Sequence, residues 1–109
     1  MIHPSAIIEK GAKIGKNVQI GPFSTITKNV EIGDNCIIGS NVLIDGWTTI
    51  GEACEISHCA AIGSPPQDFK YKGEKSFVHL GKNNIIREYV TIHRASDKGR
   101  ETRVGDGNL

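Results

Sequence analysis

A chain of 109 residues allows one domain with a modest core. Its net charge of +1 argues against nucleic-acid binding by bulk electrostatics. No charged-then-apolar leader opens it and no apolar stretch approaches the length of a membrane span, so the sequence predicts a cytoplasmic protein with no membrane span.

From the amino terminus, isoleucine recurs every six residues: Ile2, Ile8, Ile14, Ile20, Ile26, Ile32, Ile38, Ile44, Ile50, Ile56 and Ile62. A period of six obeys strand alternation but adds a condition, that every third inward position is large. The inward position two residues earlier is mostly small: Ala6, Ala12, Val18, Ser24, Val30, Cys36, Val42, Thr48, Cys54 and Ala60. One large and one small residue per face fill a triangular interior. Gly15, Gly21, Gly33, Gly39, Gly51 and Gly63 follow their isoleucines, and Asn17, Asn29, Asn35 and Asn41 come shortly after. These residue types suit tight turns and positive φ, which predicts strands of about four residues alternating with turns of about two. One hexapeptide cannot bury its isoleucine alone, whereas stacked coils bury a continuous column, so a parallel β-helix is expected over residues 1–109 as a single domain.

After Ile62-Gly63 the series breaks at Ser64-Pro65-Pro66, and consecutive prolines cannot both serve an interior ladder. The repeat resumes at Leu80-Gly81, Ile86 and Ile92, pauses again, and returns at Val104-Gly105. Two excursion loops are therefore expected, at about 64–77 and 96–103. Loops on a rigid scaffold are where function concentrates. Charge concentrates there too: residues 68–103 carry nine Lys/Arg and five Asp/Glu, against four and six in residues 1–67. Such a surface attracts phosphates or an acidic partner protein, or is merely solvated. Asp68, Lys70, Tyr71 and Glu74 sit in the first loop, and His93 and Arg94 stand just before the second. Asp68 and Lys70 also admit the plain reading of a surface ion pair, and His93, next to the inward Ile92, should face outward.

The three cysteines have no metal-like spacing. Cys36 and Cys54 take the small inward position and read as buried apolar residues, while Cys59, one position earlier in its repeat, should be partly exposed. His3, His58, His79 and His93 offer no H-x3-5-H or H-E-x-x-H pair, so neither a zinc site nor a hexapeptide carbonic anhydrase with three histidine ligands is expected.

The opening Ile2-His3-Pro4-Ser5-Ala6, the Ile20-Gly21-Pro22-Phe23 run, Gln67-Asp68-Phe69-Lys70-Tyr71 with Gly73-Glu74, and Ile85 to Arg94 together resemble the amino-terminal part of the bacterial acyl-carrier-protein–UDP-N-acetylglucosamine O-acyltransferases of lipid A synthesis. The resemblance covers essentially the whole sequence. It implies a left-handed parallel β-helix that forms a homotrimer, with clefts between subunits. It implies transfer of a 3-hydroxyacyl group from the phosphopantetheine thioester of acyl carrier protein to the 3-hydroxyl of UDP-N-acetylglucosamine, with no bound cofactor or metal. Carried over residue by residue, Asp68 accepts hydrogen bonds from the nucleotide-sugar, His93 binds its phosphate-bearing side, Lys70 supplies positive charge and Gln67 lines the cleft. The family's general-base histidine falls beyond Leu109, so the 109 residues alone are expected to be inactive. Pro66 and Ala95 depart from the family pattern of asparagine and glycine. A sugar-amine N-acyltransferase of the same superfamily and a noncatalytic β-solenoid serving in assembly are the alternative readings.

Overall fold

The computed structural model describes residues 1–66 and 71–109. Among them run fourteen strands: β1 (Ile7–Ile8), β2 (Lys13–Ile14), β3 (Gln19–Ile20), β4 (Thr25–Ile26), β5 (Glu31–Ile32), β6 (Ile37–Ile38), β7 (Leu43–Ile44), β8 (Trp47–Ile50), β9 (Glu55–Ile56), β10 (Ala61–Ser64), β11 (Phe77–Leu80), β12 (Ile85–Ile86), β13 (Thr91–His93) and β14 (Glu101–Val104). They stack in three sheets, β1-β4-β7-β10-β13, β2-β5-β8-β11-β14 and β3-β6-β9-β12. Each sheet takes every third strand, so the chain winds as a parallel β-helix with three walls, and its coil is left-handed.

Pairing advances eighteen residues per coil in the lower part, where Ile8 lies under Ile26, Ile26 under Ile44 and Ile44 under Ile62. The second column is Ile14, Ile32, Ile50, Leu80 and Val104, and the third is Ile20, Ile38, Ile56 and Ile86. From Ile20 to Leu80 these side chains are buried, each worth about 1.5–3 kcal/mol relative to exposure. Ile8 and Ile14 are only half-buried, because they belong to the lowest coil.

Three expectations about the repeat are corrected. Most paired strands hold two residues rather than four, because much of each hexapeptide is spent turning, and the turns make ladders of their own. Asn35 N donates to Lys16 O, Ala53 N to Asp34 O and Asn83 N to Glu52 O. The glycines after the isoleucines are not there for φ, since Gly63 alone of that set has a positive value. They let coils approach: a Cβ on Gly15 would stand 2.8 Å from the Gly33 carbonyl carbon, and one on Gly51 would stand 2.6 Å from that of Gly81. Positive φ falls instead on the third residue after the column residue. Asn17, Asn35 and Asn41 adopt it as expected, but so do Phe23, Ala53, Cys59, Asn83 and Tyr89, whereas Asn29 does not.

The small inward residues also do more than fill space. Ser24 Oγ donates to Gly39 O at 2.7 Å, and the Cys36 and Cys54 thiols donate to Gly51 O and Gly81 O at 3.1 Å. The inward cysteines are thus hydrogen-bond donors as well as buried groups. The neighbouring Cys54 side chain, aided by burial, pushes the Cys36 thiol far above its usual range, which keeps it protonated and able to donate. In the next coil Asn84 takes over, fully buried, with Nδ2 donating to Gly81 O and Gly105 O and Oδ1 accepting from Asn108 N. An interior amide with every bond made is tolerable where an unmatched one is not.

The repeat is lengthened twice. Ile62 pairs with Ile92, thirty residues on, and Leu80 pairs with Val104, twenty-four on. The spans between strands are 65–76 and 94–100, so the expected loop limits shift: Ser64 belongs to β10, Phe77 to β11 and Glu101–Arg103 to β14, where parallel pairing holds them. Both spans leave the helix from one edge, between the wall of β10 and β13 and the wall of β11 and β14. One coil below, the same edge is turned by Asp45-Gly46 alone, between β7 and β8.

Candidate functional site

The upper three corners of this edge are therefore Asp45-Gly46, then 65–76, then 94–100. The first excursion starts from a distorted strand. Gly63 has φ +86°, and a Cβ there would run into the Asp45 carbonyl oxygen and the Thr48 hydroxyl. The pairing of β10 with β13 slips at that point, between Ile62 and Ser64, and brings Ser64 opposite His93. A glycine without a Cβ is what lets the backbone pass so close and leave the wall.

The two loop roots are laced together. Arg94 N donates to Ser64 O at 3.0 Å, Gly99 N to Lys75 O at 2.9 Å, and Phe77 N to Arg100 O at 2.9 Å. Buried Ser76 donates its hydroxyl to Ala95 O at 2.5 Å, and Thr102 Oγ1 donates to His93 O at 2.8 Å. Bonds of this kind satisfy loop backbone that has no ladder partner. Within the first excursion, Tyr71 Oη donates to Glu74 O and Lys72 N to the Glu74 carboxylate.

His93 thus stands half-buried at the end of β13, beside the root of the first excursion and with its carbonyl tied to the strand that ends the second. Gln67, Asp68 and Lys70 lie outside the described residues. Around the roots, Lys72, Lys75, Lys98 and Arg100 are exposed, a concentration of cations that favours an anionic ligand. The remaining histidines are elsewhere. His58 packs edge-on against Tyr89 with centroids 6.1 Å apart, and His79 points outward from β11. His3 Nδ1 lies 2.8 Å from Ser5 Oγ, but it also accepts from Ser5 N while the hydroxyl accepts from Phe23 N, so the pair caps a turn in the lowest coil. Cys59 is half-buried on a corner, as its offset in the repeat predicts. Among the described residues no three His, Cys, Asp or Glu groups converge as a metal cage, and no helix is long and apolar enough to cross a membrane.

Sequence reasoning missed the partners of Arg94. The guanidinium faces Asp45 Oδ2 at 3.7 Å and stands 5.5 Å from the Trp47 ring and 5.9 Å from the Tyr71 ring, within the range of a cation–π contact. Lys75 Nζ lies 5.7 Å from both Trp47 and Phe77, which pair across β8 and β11. The available signal was Trp47, the single tryptophan of the sequence, placed beside the two-residue corner of the edge from which the loops depart. By contrast, a groove of about 320 Å³ over Ile14, Ile32 and Ile50 is floored by Gly15 and Gly33. Its charged groups are the exposed Lys13–Glu31 pair, so it lacks the convergent polar groups of a binding site.

Comparison with known proteins gives consistent results. The family model described as "Bacterial transferase hexapeptide (six repeats)" matches residues 1–28, 11–46 and 29–64. An acyl-[acyl-carrier-protein]–UDP-N-acetylglucosamine O-acyltransferase of Rickettsia bellii is 50% identical over 109 residues, spanning 99% of this chain and 39% of that protein. The protein of the same name from Thermodesulfovibrio yellowstonii is 52% identical, over 99% of this chain and 42% of its own length. A UDP-N-acetylglucosamine acyltransferase from Bacteroides fragilis superposes with a TM-score of 0.94 at 50% identity, covering 100% of this chain and 43% of that one. The chain thus spans about two fifths of the length of the relatives it matches.

Proposed function

Because the chain belongs to the bacterial transferase hexapeptide family, we propose that it forms the amino-terminal coils of an O-acyltransferase. The reaction is transfer of a 3-hydroxyacyl group from the phosphopantetheine thioester of acyl carrier protein to the 3-hydroxyl of UDP-N-acetylglucosamine, a step of lipid A biosynthesis. The observation that carries this reading is the 50–52% identity over 109 residues, 99% of the chain, to proteins of that name. The relatives' printed name also favours the hydroxyl over an amine as acceptor.

In this reading the stacked corners form one side of a nucleotide-sugar cleft. His93 faces the phosphates, where an imidazole N–H donates to a phosphate oxygen. Asp68 accepts from sugar or base donors, Lys70 adds positive charge, and Gln67 lines the cleft. The exposed cations at the loop roots favour the diphosphate and an acidic carrier protein. A sugar hydroxyl needs a general base and its tetrahedral intermediate needs a hydrogen-bond donor. In this reading the base is the histidine that the family resemblance puts in a later coil, and a homotrimer working in the cytoplasm, with clefts shared between subunits, completes the picture.

Calorimetric titration of UDP-N-acetylglucosamine tests the site. Asp68→Ala and His93→Ala are each expected to weaken binding by about tenfold or more, the scale of a hydrogen bond to a charged group. Unchanged affinity in both would refute the assignment. The chain by itself is expected to show no acyl transfer from radiolabelled donor.

A further inference from the structure

Arg94 has no role in the reading above, yet its setting is unusual. Its side chain is 12% exposed, and the nearest carboxylate oxygen, Asp45 Oδ2, stands 3.7 Å from Nη2, beyond hydrogen-bond reach. Nε is buried without a partner among the described residues. Asp45 Oδ1 already accepts from Thr27 Oγ1 and Gly46 N, which holds the carboxylate in place. What grips the guanidinium is shape: Trp47 and Tyr71 offer their rings, and Gly46 leaves the space, since a Cβ there would stand 3.2 Å from Arg94 Cζ.

The decisive feature is which coils these groups come from. Asp45, Gly46 and Trp47 turn the corner below the first excursion, Tyr71 belongs to that excursion, and Arg94 begins the corner above it. The Arg94 side chain thus reaches from the corner after β13 to the corner after β7, two rungs below. We propose that Arg94 is a positioning residue, a strap that clamps the root of the first excursion to the coil and so sets where that loop meets His93. It touches no reacting atom. The role rests on the nucleotide-sugar reading for its functional consequence, but the strap itself does not. A lysine cannot replace it, because an ammonium lacks the planar face that stacks on aromatic rings.

The test compares wild type with Arg94→Met, Arg94→Lys and Asp45→Asn by three readings: trypsin cleavage after Lys72 and Lys75 under native conditions, emission of the single tryptophan, and affinity for UDP-N-acetylglucosamine well below the melting midpoint. Arg94→Met is expected to raise cleavage about tenfold, red-shift Trp47 emission and weaken the sugar nucleotide about tenfold. Arg94→Lys should recover the melting midpoint but neither loop protection nor affinity. Asp45→Asn, which loosens one end of the strap, should raise cleavage by a few-fold and serves if Arg94→Met does not fold. Wild-type cleavage and emission in the variants would overturn the strap, full recovery by Arg94→Lys would reduce it to a charge effect, and raised cleavage with unchanged affinity would remove its positioning role. If wild type itself fails to bind the sugar nucleotide, the functional reading fails and cleavage and emission alone decide whether the strap exists.

Discussion

In residues 1–64 each coil closes in eighteen residues, held by backbone ladders, one isoleucine per face, glycines at close approaches and short inward donors such as Ser24 and Cys36. In the upper part the coils stretch to thirty and twenty-four residues, and side chains take over part of the work. There Asn84 replaces a small inward residue, Ser76 and Thr102 tie loop carbonyls, and Arg94 reaches across two rungs. The lower region owes its regularity to interactions that any similar hexapeptide supplies. The upper one depends on particular residues at particular places, as expected where a scaffold has been bent to a task.

This contrast can be broken most directly in the lower region. Ile32→Asp puts a carboxylate into the column between Ile14 and Ile50, and a loss above about 4 kcal/mol, enough to unfold the whole helix, is expected. A two-state melt that matches wild type would contradict it. In the upper region, Asn84→Ala removes three buried side-chain hydrogen bonds, to Gly81 O and Gly105 O and from Asn108 N, and should cost about 2–3 kcal/mol. Hydrogen exchange should locate that loss at Ile85 and above, with the amides of β4 to β7 little changed. Uniform loss over the helix would mean that the two regions are one cooperative unit. Gly21→Ala pushes a methyl to 2.8 Å from the Gly39 carbonyl carbon and should cost about 1–3 kcal/mol by overpacking, read from a denaturant midpoint. Lys13→Ala removes an exposed ion pair with Glu31 and should shift stability by no more than about 0.5 kcal/mol.

The columns were legible in the sequence because a side chain at a fixed phase needs only the repeat to place it, and the register follows. The glycines were legible in position but not in cause: Gly15 and Gly51 serve the neighbouring coil rather than their own φ, and spacing alone does not separate these uses. The thiol donors Cys36 and Cys54 were hidden for a related reason, since their acceptors are carbonyls of the coil above. At the site, His93 and the loops stood out by composition. The meeting of Asp45 and Trp47 with Arg94 did not, because it depends on how two insertions stack on one edge.

That edge has a practical consequence. The three walls hold their pitch while the linker at this corner ranges from Asp45-Gly46 to the spans 65–76 and 94–100, so it is where the molecule absorbs added chain. A peptide grafted between Asp45 and Trp47 would test how far that tolerance extends, and it would emerge next to the natural loops, a vantage suited to selecting new recognition surfaces from randomised libraries.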